Sequence, residues 1–120
     1  MEGNYILDGL YIKQTDHGWG VFYKHIKAGT LIERAIMVRL KNIDGNENPH
    51  LFTWSDDRKT WAFGTGLTSF YNHSNTPNII KKGDLVNDVL EVYTLQDVLP
   101  NKELCNTYMS KEWRKCFQDF

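Results

Sequence analysis

Residues 70–78 read F-Y-N-H-S-N-T-P-N, with three asparagines, a histidine, a serine, a threonine and a proline behind two aromatics. Asn and Ser favour turns because their short side chains bond nearby backbone, while Pro77 fixes its own φ and turns Thr76 away from helix. A tight polar turn directly after apolar sequence can present the Asn72 amide and the His73 imidazole to a ligand. Taken alone, the motif reads more plainly as a solvated surface loop. Two other segments carry comparable chemistry. Near the start stands D-H-G-W-G-V-F at residues 16–22, and near the end E-L-C-N-T-Y at residues 103–108. Gly18 and Gly20 around Trp19 suggest backbone that passes close to something or takes positive φ, or simply a hairpin corner. A dinucleotide fingerprint does not fit, since the third glycine is missing and no helical pattern follows.

Composition narrows the chemistry. A single domain of 120 residues with a formal net charge of −1 has no global basic field for nucleic acid. Cys105 and Cys116 form no C-x-x-C pair, and His17, His25, His50 and His73 are scattered, so neither a zinc site nor a disulfide framework is indicated. D-G-N-E-N at residues 44–48 faintly suggests a calcium loop, but Pro49 stands where its glycine belongs and Ser55 where its Glu belongs. No apolar run reaches 18 residues and no basic-then-apolar leader opens the chain, so we expect a soluble intracellular protein of cytoplasm or nucleus, without membrane contact.

The elements that must position these residues are short strands. Six Phe, six Tyr and four Trp suit a β-rich core or an aromatic-lined channel. Residues 5–14 read as strand with a bend at Asp8-Gly9, residues 21–25 as strand, residues 27–30 as turn, and residues 31–40 as a strand that Glu33 interrupts early. A looser acidic middle carries Asp44, Glu47, Asp56 and Asp57, a solvated loop or an attraction for a basic peptide. Phe52, Trp54, Trp61 and Phe63 then read as core or channel lining. Strands follow at residues 79–82 and 89–95, a turn at 99–102 and a short strand at 103–108. Ser110 caps an expected terminal helix, about residues 110–118, with Trp113, Phe117 and Phe120 on one face.

In this order the three motifs resemble the SET-domain family of protein lysine methyltransferases: G-W-G-V-F, then N-H-S-N-T-P-N, then E-L-C-N-T-Y. I-K-A-G-T-L-I-E at 26–33 and L-Q-D-V-L-P-N-K-E-L at 95–104 are similar to further stretches of that family. The resemblance spans about residues 10–108. It implies a mainly β, β-clip-like fold of several small sheets with knot-like C-terminal threading, as one domain over residues 1–120. It also implies S-adenosylmethionine as cofactor, met by Gly18, Trp19, Gly20, Asn72 and His73, with Trp113 covering the adenine. Tyr108 would be the catalytic residue, a neutral phenol by its reference pKa near 10, orienting the methyl and the amine. Implied partners are a basic protein such as a histone tail and a second copy of the chain in a homodimer, with no direct nucleic acid and no metal. A non-catalytic SET fold that binds peptide or cofactor is the alternative.

Departures from the family pattern are specific. Asn101-Lys102 replaces the usual Gly-Glu, and Asn can take the left-handed turn a glycine would. Met109 follows the tyrosine where Gly is common. Asn106 stands two residues before it, where many histone-directed members carry the Phe or Tyr that limits the number of methyls.

Overall fold

The computed structural model of the chain describes residues 3–108. Ten strands follow in order: β1 Tyr5–Ile6, β2 Tyr11–Thr15, β3 Gly18–Phe22, β4 Leu31–Leu40, β5 Leu51–Thr53, β6 Trp61–Gly64, β7 Asn72–His73, β8 Ile79–Asp84, β9 Val89–Thr94 and β10 Cys105–Asn106. No helix occurs among the described residues, and the expected terminal helix with Trp113 lies outside them. The mainly β expectation holds.

The ten residues of β4, L-I-E-R-A-I-M-V-R-L, are mostly long or β-branched apolar side chains that suit a half-buried pleat. This strand is the spine. It pairs antiparallel with β9 along one edge, and along the other with β1 at its start and β6 at its end. β5 extends β6 and β8 extends β9, giving the order β5-β6-β4-β9-β8 with β1 beside β4. β2 and β3 form a separate hairpin, and β7 and β10 a two-stranded parallel ribbon. The turns use the expected backbone: Gly9, Gly29 and Asn101 have φ of 95°, 77° and 68°. Asn101 thus does take the left-handed place of a glycine.

A bulge breaks the register of β4 with β9 between Leu31 and Glu33. One extra residue reverses the in–out alternation, so the neighbours Ile32 and Glu33 are both fully buried. Ile32 joins the main core with Val21, Ile79 and Leu104. Glu33 turns to a polar interior of its own. Its Oε1 accepts from the Tyr71 hydroxyl at 2.7 Å and its Oε2 from the Leu67 amide at 2.8 Å. Burial raises the Glu33 carboxyl above the usual range, while both hydrogen bonds pull it back. Burial, and then the neighbouring Glu33, raise the Tyr71 phenol.

Lys81 of β8 reaches over the same tyrosine. Its Nζ donates to the Thr68 carbonyl at 3.0 Å and lies 4.8 Å from the Phe52 ring centre and 5.2 Å from that of Tyr71. Burial pushes the amine down to about 7, against the upward pull of Glu33.

Two predictions follow from this buried network. Glu33→Gln leaves one of two buried donors facing an amide, so urea denaturation should show a loss on the order of 1–3 kcal/mol; unchanged stability would mean the pair contributes nothing. Lys81 binds its proton more weakly folded than unfolded, so its share of stability rises with pH from about 7 up to the ordinary lysine range near 10.4. Lys81→Met should therefore gain most over the native chain below pH 7 and lose that advantage as pH climbs. A pH-independent difference between the two would contradict this.

Candidate active site

Tyr71, 1% exposed, anchors the start of the polar turn. With its hydroxyl fixed on Glu33, the chain leaves the core at a defined point and residues 72–78 fold back over the C-terminal segment. Two paired residues in β7 and β10 would hold that segment weakly, and Asn78 adds the rest. Its amide N donates to the Cys105 carbonyl at 3.1 Å and its Nδ2 to the Glu103 carbonyl at 2.9 Å, while its Oδ1 accepts from the Cys105 amide at 2.9 Å. Ser74 N donates to the Asn106 carbonyl, Thr107 Oγ1 donates to the Ser74 carbonyl, and Leu104 N reaches Val21 O of the hairpin at 2.8 Å. Residues 103–107 are therefore bracketed by the turn on one side and β3 on the other.

This threading brings Tyr108 onto His73. The Tyr108 amide donates to His73 Nδ1 at 2.9 Å, and an accepting Nδ1 on a neutral ring leaves the proton on Nε2, which faces Asn75 Oδ1 at 2.9 Å. The two rings sit 5.2 Å apart and tilted by 57°. The Tyr108 hydroxyl donates to the Tyr71 carbonyl at 2.9 Å. Tyr71 is thus held by Glu33 at its hydroxyl and itself holds Tyr108 at its backbone.

The next residue connects to the glycine corner. Asn72 Nδ2 donates to Trp19 O at 3.0 Å and to Glu103 Oε2 at 2.6 Å, and its Oδ1 has no partner among the described residues. The two glycines have different jobs. Gly18, at φ 98°, makes the corner of the β2–β3 hairpin and faces open space. A Cβ on Gly20 would strike the Glu103 carboxylate, so this glycine admits Glu103 to Asn72. Trp19 between them is half exposed.

Tyr108 also lines a cleft of about 700 Å³, together with Phe52, Trp54, Thr68, Tyr71, Lys81 and Asn106. Of the aromatic run expected as core or channel lining, Phe52 and Trp54 line the cleft, Trp54 and Trp61 are both buried, and Phe63 is exposed. Of the acidic middle, Asp56 lines the cleft. Asp57 is engaged by Ser55 and the Lys59 amide, and Asp44 by the Asn46 amide.

Asn72, His73, Tyr108 and the corner at Gly18, Trp19 and Gly20 are therefore assembled in one place, from segments up to 90 residues apart (18 to 108). Trp113 lies outside the described residues. Sequence reasoning did not assign roles to Glu33, Tyr71, Asn78 or Lys81. The available signal was Glu33 itself, an acid inside an apolar strand, which calls for a buried donor.

Comparison with known proteins agrees with this geometry. The SET domain family model matches residues 18–109. The chain is 31% identical over 113 residues to the Schizosaccharomyces pombe histone-lysine N-methyltransferase specific for H3 lysine 37, covering 87% of this chain and 76% of that protein. A Plasmodium falciparum protein assigned as a histone methyltransferase superposes with a TM-score of 0.67 at 26% identity, over 86% of this chain and 95% of that one. Two larger structures share the fold. KRYPTONITE, solved with mCHG DNA and SAH, has a TM-score of 0.66 at 21% identity, and Arabidopsis thaliana SUVH6, solved with SAM, has 0.68 at 21%. This chain covers 86% and 84% of itself in those matches, but only 24% and 28% of the two partners. With its three motifs joined in one site and the family model spanning most of its length, the chain belongs to the SET-domain family.

Proposed function

We propose that the chain is a protein-lysine N-methyltransferase that uses S-adenosylmethionine and acts on a basic protein, with a histone H3 tail as the favoured substrate. One observation carries this reading: the Tyr108 hydroxyl sits at the wall of an aromatic cleft, fixed on the Tyr71 carbonyl, one residue from the Asn72 that contacts the glycine corner. A lysine side chain entering the cleft and a donor lying at the corner would meet at this hydroxyl.

The residues at the corner suit such a donor. Gly18 leaves backbone open, Trp19 offers an exposed indole face, and Asn72 Oδ1 is a free acceptor for an ammonium group. Bound there, the cofactor would supply a methyl group made electrophilic by its sulfonium. The solved SAH and SAM complexes of KRYPTONITE and SUVH6 support the choice of cofactor, and the fission-yeast relative supports the choice of histone H3.

The chain's own groups then do three things. Phe52, Tyr71 and Trp54 strip water from the entering side chain, which lowers a lysine pKa and favours the neutral nucleophile. Lys81 adds a neighbouring amine that works in the same direction whenever it is protonated. Tyr108, immobilised by three contacts to His73 and Tyr71, holds the nitrogen lone pair in line with the methyl carbon.

The test is transfer of labelled methyl from S-adenosylmethionine to recombinant core histones, with free histone H3 tail peptide in parallel. We expect label on lysine, and saturable cofactor binding by calorimetry that weakens about tenfold in Asn72→Ala through loss of a charge-assisted hydrogen bond. Absence of both binding and label would overturn the proposal.

A further inference from the structure

A substrate lysine arrives as an ammonium, with a reference pKa of about 10.4, and its nitrogen has no lone pair for a methyl carbon until a proton leaves. Most titratable groups around the cleft are already committed. The Tyr108 hydroxyl donates to the Tyr71 carbonyl, and His73 has Nδ1 engaged by the Tyr108 amide and Nε2 facing Asn75. Glu33 gives both carboxylate oxygens to Tyr71 and Leu67. Asp56 and Arg58 also line the cleft but are exposed to water, and a guanidinium cannot act as a base. Lys81 is the exception. The strand register places Glu33, Val92 and Lys81 in one row across β4, β9 and β8, so Lys81 turns inward while Lys82 is exposed. Its Nζ has the Thr68 carbonyl as its one hydrogen-bond partner and no carboxylate within ion-pair distance among the described residues. Tyr71 ties it to the reaction point, carrying the Lys81 amine over its ring and the Tyr108 hydroxyl on its carbonyl.

We propose that Lys81 is the proton acceptor of the reaction, its neutral amine taking a proton from the substrate ammonium directly or through one bridging water. The inference rests on the methyltransferase reading above. An N–H bond of the substrate breaks and leaves its electron pair on the substrate nitrogen, while the proton joins the lone pair of Lys81 Nζ. The substrate nitrogen then bonds to the methyl carbon as the carbon–sulfur bond breaks, with that electron pair left on sulfur. Lys81 returns its proton to solvent once product departs. The surroundings suit both states of the acceptor. Burial holds the free amine near 7, so it is largely neutral in mildly alkaline solution, and the Phe52 and Tyr71 rings with the Glu33 charge support the ammonium once formed. Two amines in one aromatic cleft repel each other when both are charged, which favours sharing a single proton.

The pH dependence of kcat/KM on core histones tests this, because a merely structural lysine would not move it. In the native chain kcat/KM should rise to a plateau through pH of about 7. Lys81→Met and Lys81→Arg leave no acceptor, so only substrate already deprotonated in solution reacts, and kcat/KM should keep climbing toward about pH 10.4. Near pH 8 both variants should be roughly 100-fold slower or worse, with the deficit shrinking as pH rises. Native rates in Lys81→Arg would make Lys81 a fixed charge and overturn the proposal, as would an unchanged profile in Lys81→Met. Competitive acetylation of the native chain, followed by peptide mass mapping, checks the amine without turnover. Lys81 should label with a midpoint near 7; an ordinary lysine midpoint, or no labelling at any pH, overturns the proposal. The two claims fail separately: native transfer with variants that share its pH profile sinks only the Lys81 step, whereas no native transfer at any pH sinks the methyltransferase reading and the step with it.

Discussion

The site depends on the grip of the Asn78 carboxamide on the C-terminal segment. Donor and acceptor of one side chain, together with its own amide, hold the Glu103 carbonyl and both backbone groups of Cys105. A two-residue parallel ribbon could not fix a chain end unaided, because each ordered residue costs about 1–2 kcal/mol of backbone entropy. Asn78 closes that gap at the point where residues 103–107 pass between the turn and the β2–β3 hairpin. Everything downstream inherits the geometry: Leu104 seats in the core against Val21, Glu103 reaches Asn72 across Gly20, and Tyr108 arrives on His73.

The second constraint is electrostatic and runs through Tyr71. Its hydroxyl is bound to a buried carboxylate and its ring lies under the Lys81 amine, while its carbonyl receives the Tyr108 hydroxyl. Stability and chemistry meet in one residue. The bulge in β4 is what makes this arrangement available, because it turns Glu33 inward without displacing Ile32 from the core. Glu33 and Lys81 thus both engage the residue whose carbonyl receives the Tyr108 hydroxyl, and Lys81 lines the same cleft as Tyr108.

Much of this was legible in the sequence, for reasons that differ by element. The β4 strand was readable to the residue from its β-branched run, and the glycines and Asn101 marked their turns through positive φ. The grouping of Gly18, Asn72, His73 and Tyr108 came from family resemblance, since no periodicity could reveal that residues so far apart meet. Polar residues inside strands were the illegible part. Glu33 was noticed as an interruption but its burial depends on a bulge, and a one-residue change of register leaves no local mark. Lys81, in I-I-K-K-G-D, reads as a solvated strand position until β8 is placed beside Thr68 and Phe52. Gly20 makes room for Glu103, a packing role that only the folded neighbourhood reveals.

The account stands most directly on one hydroxyl. Tyr108→Phe keeps the ring against His73 and removes the hydrogen bond to the Tyr71 carbonyl, so folding should lose no more than about 1 kcal/mol and cofactor affinity should hold. Steady-state kinetics on a histone substrate should show kcat falling by roughly 100–1000-fold, as for loss of a preorganised transition-state donor, with KM little changed. Full activity in the Phe variant would make Tyr108 a packing residue and contradict the mechanism.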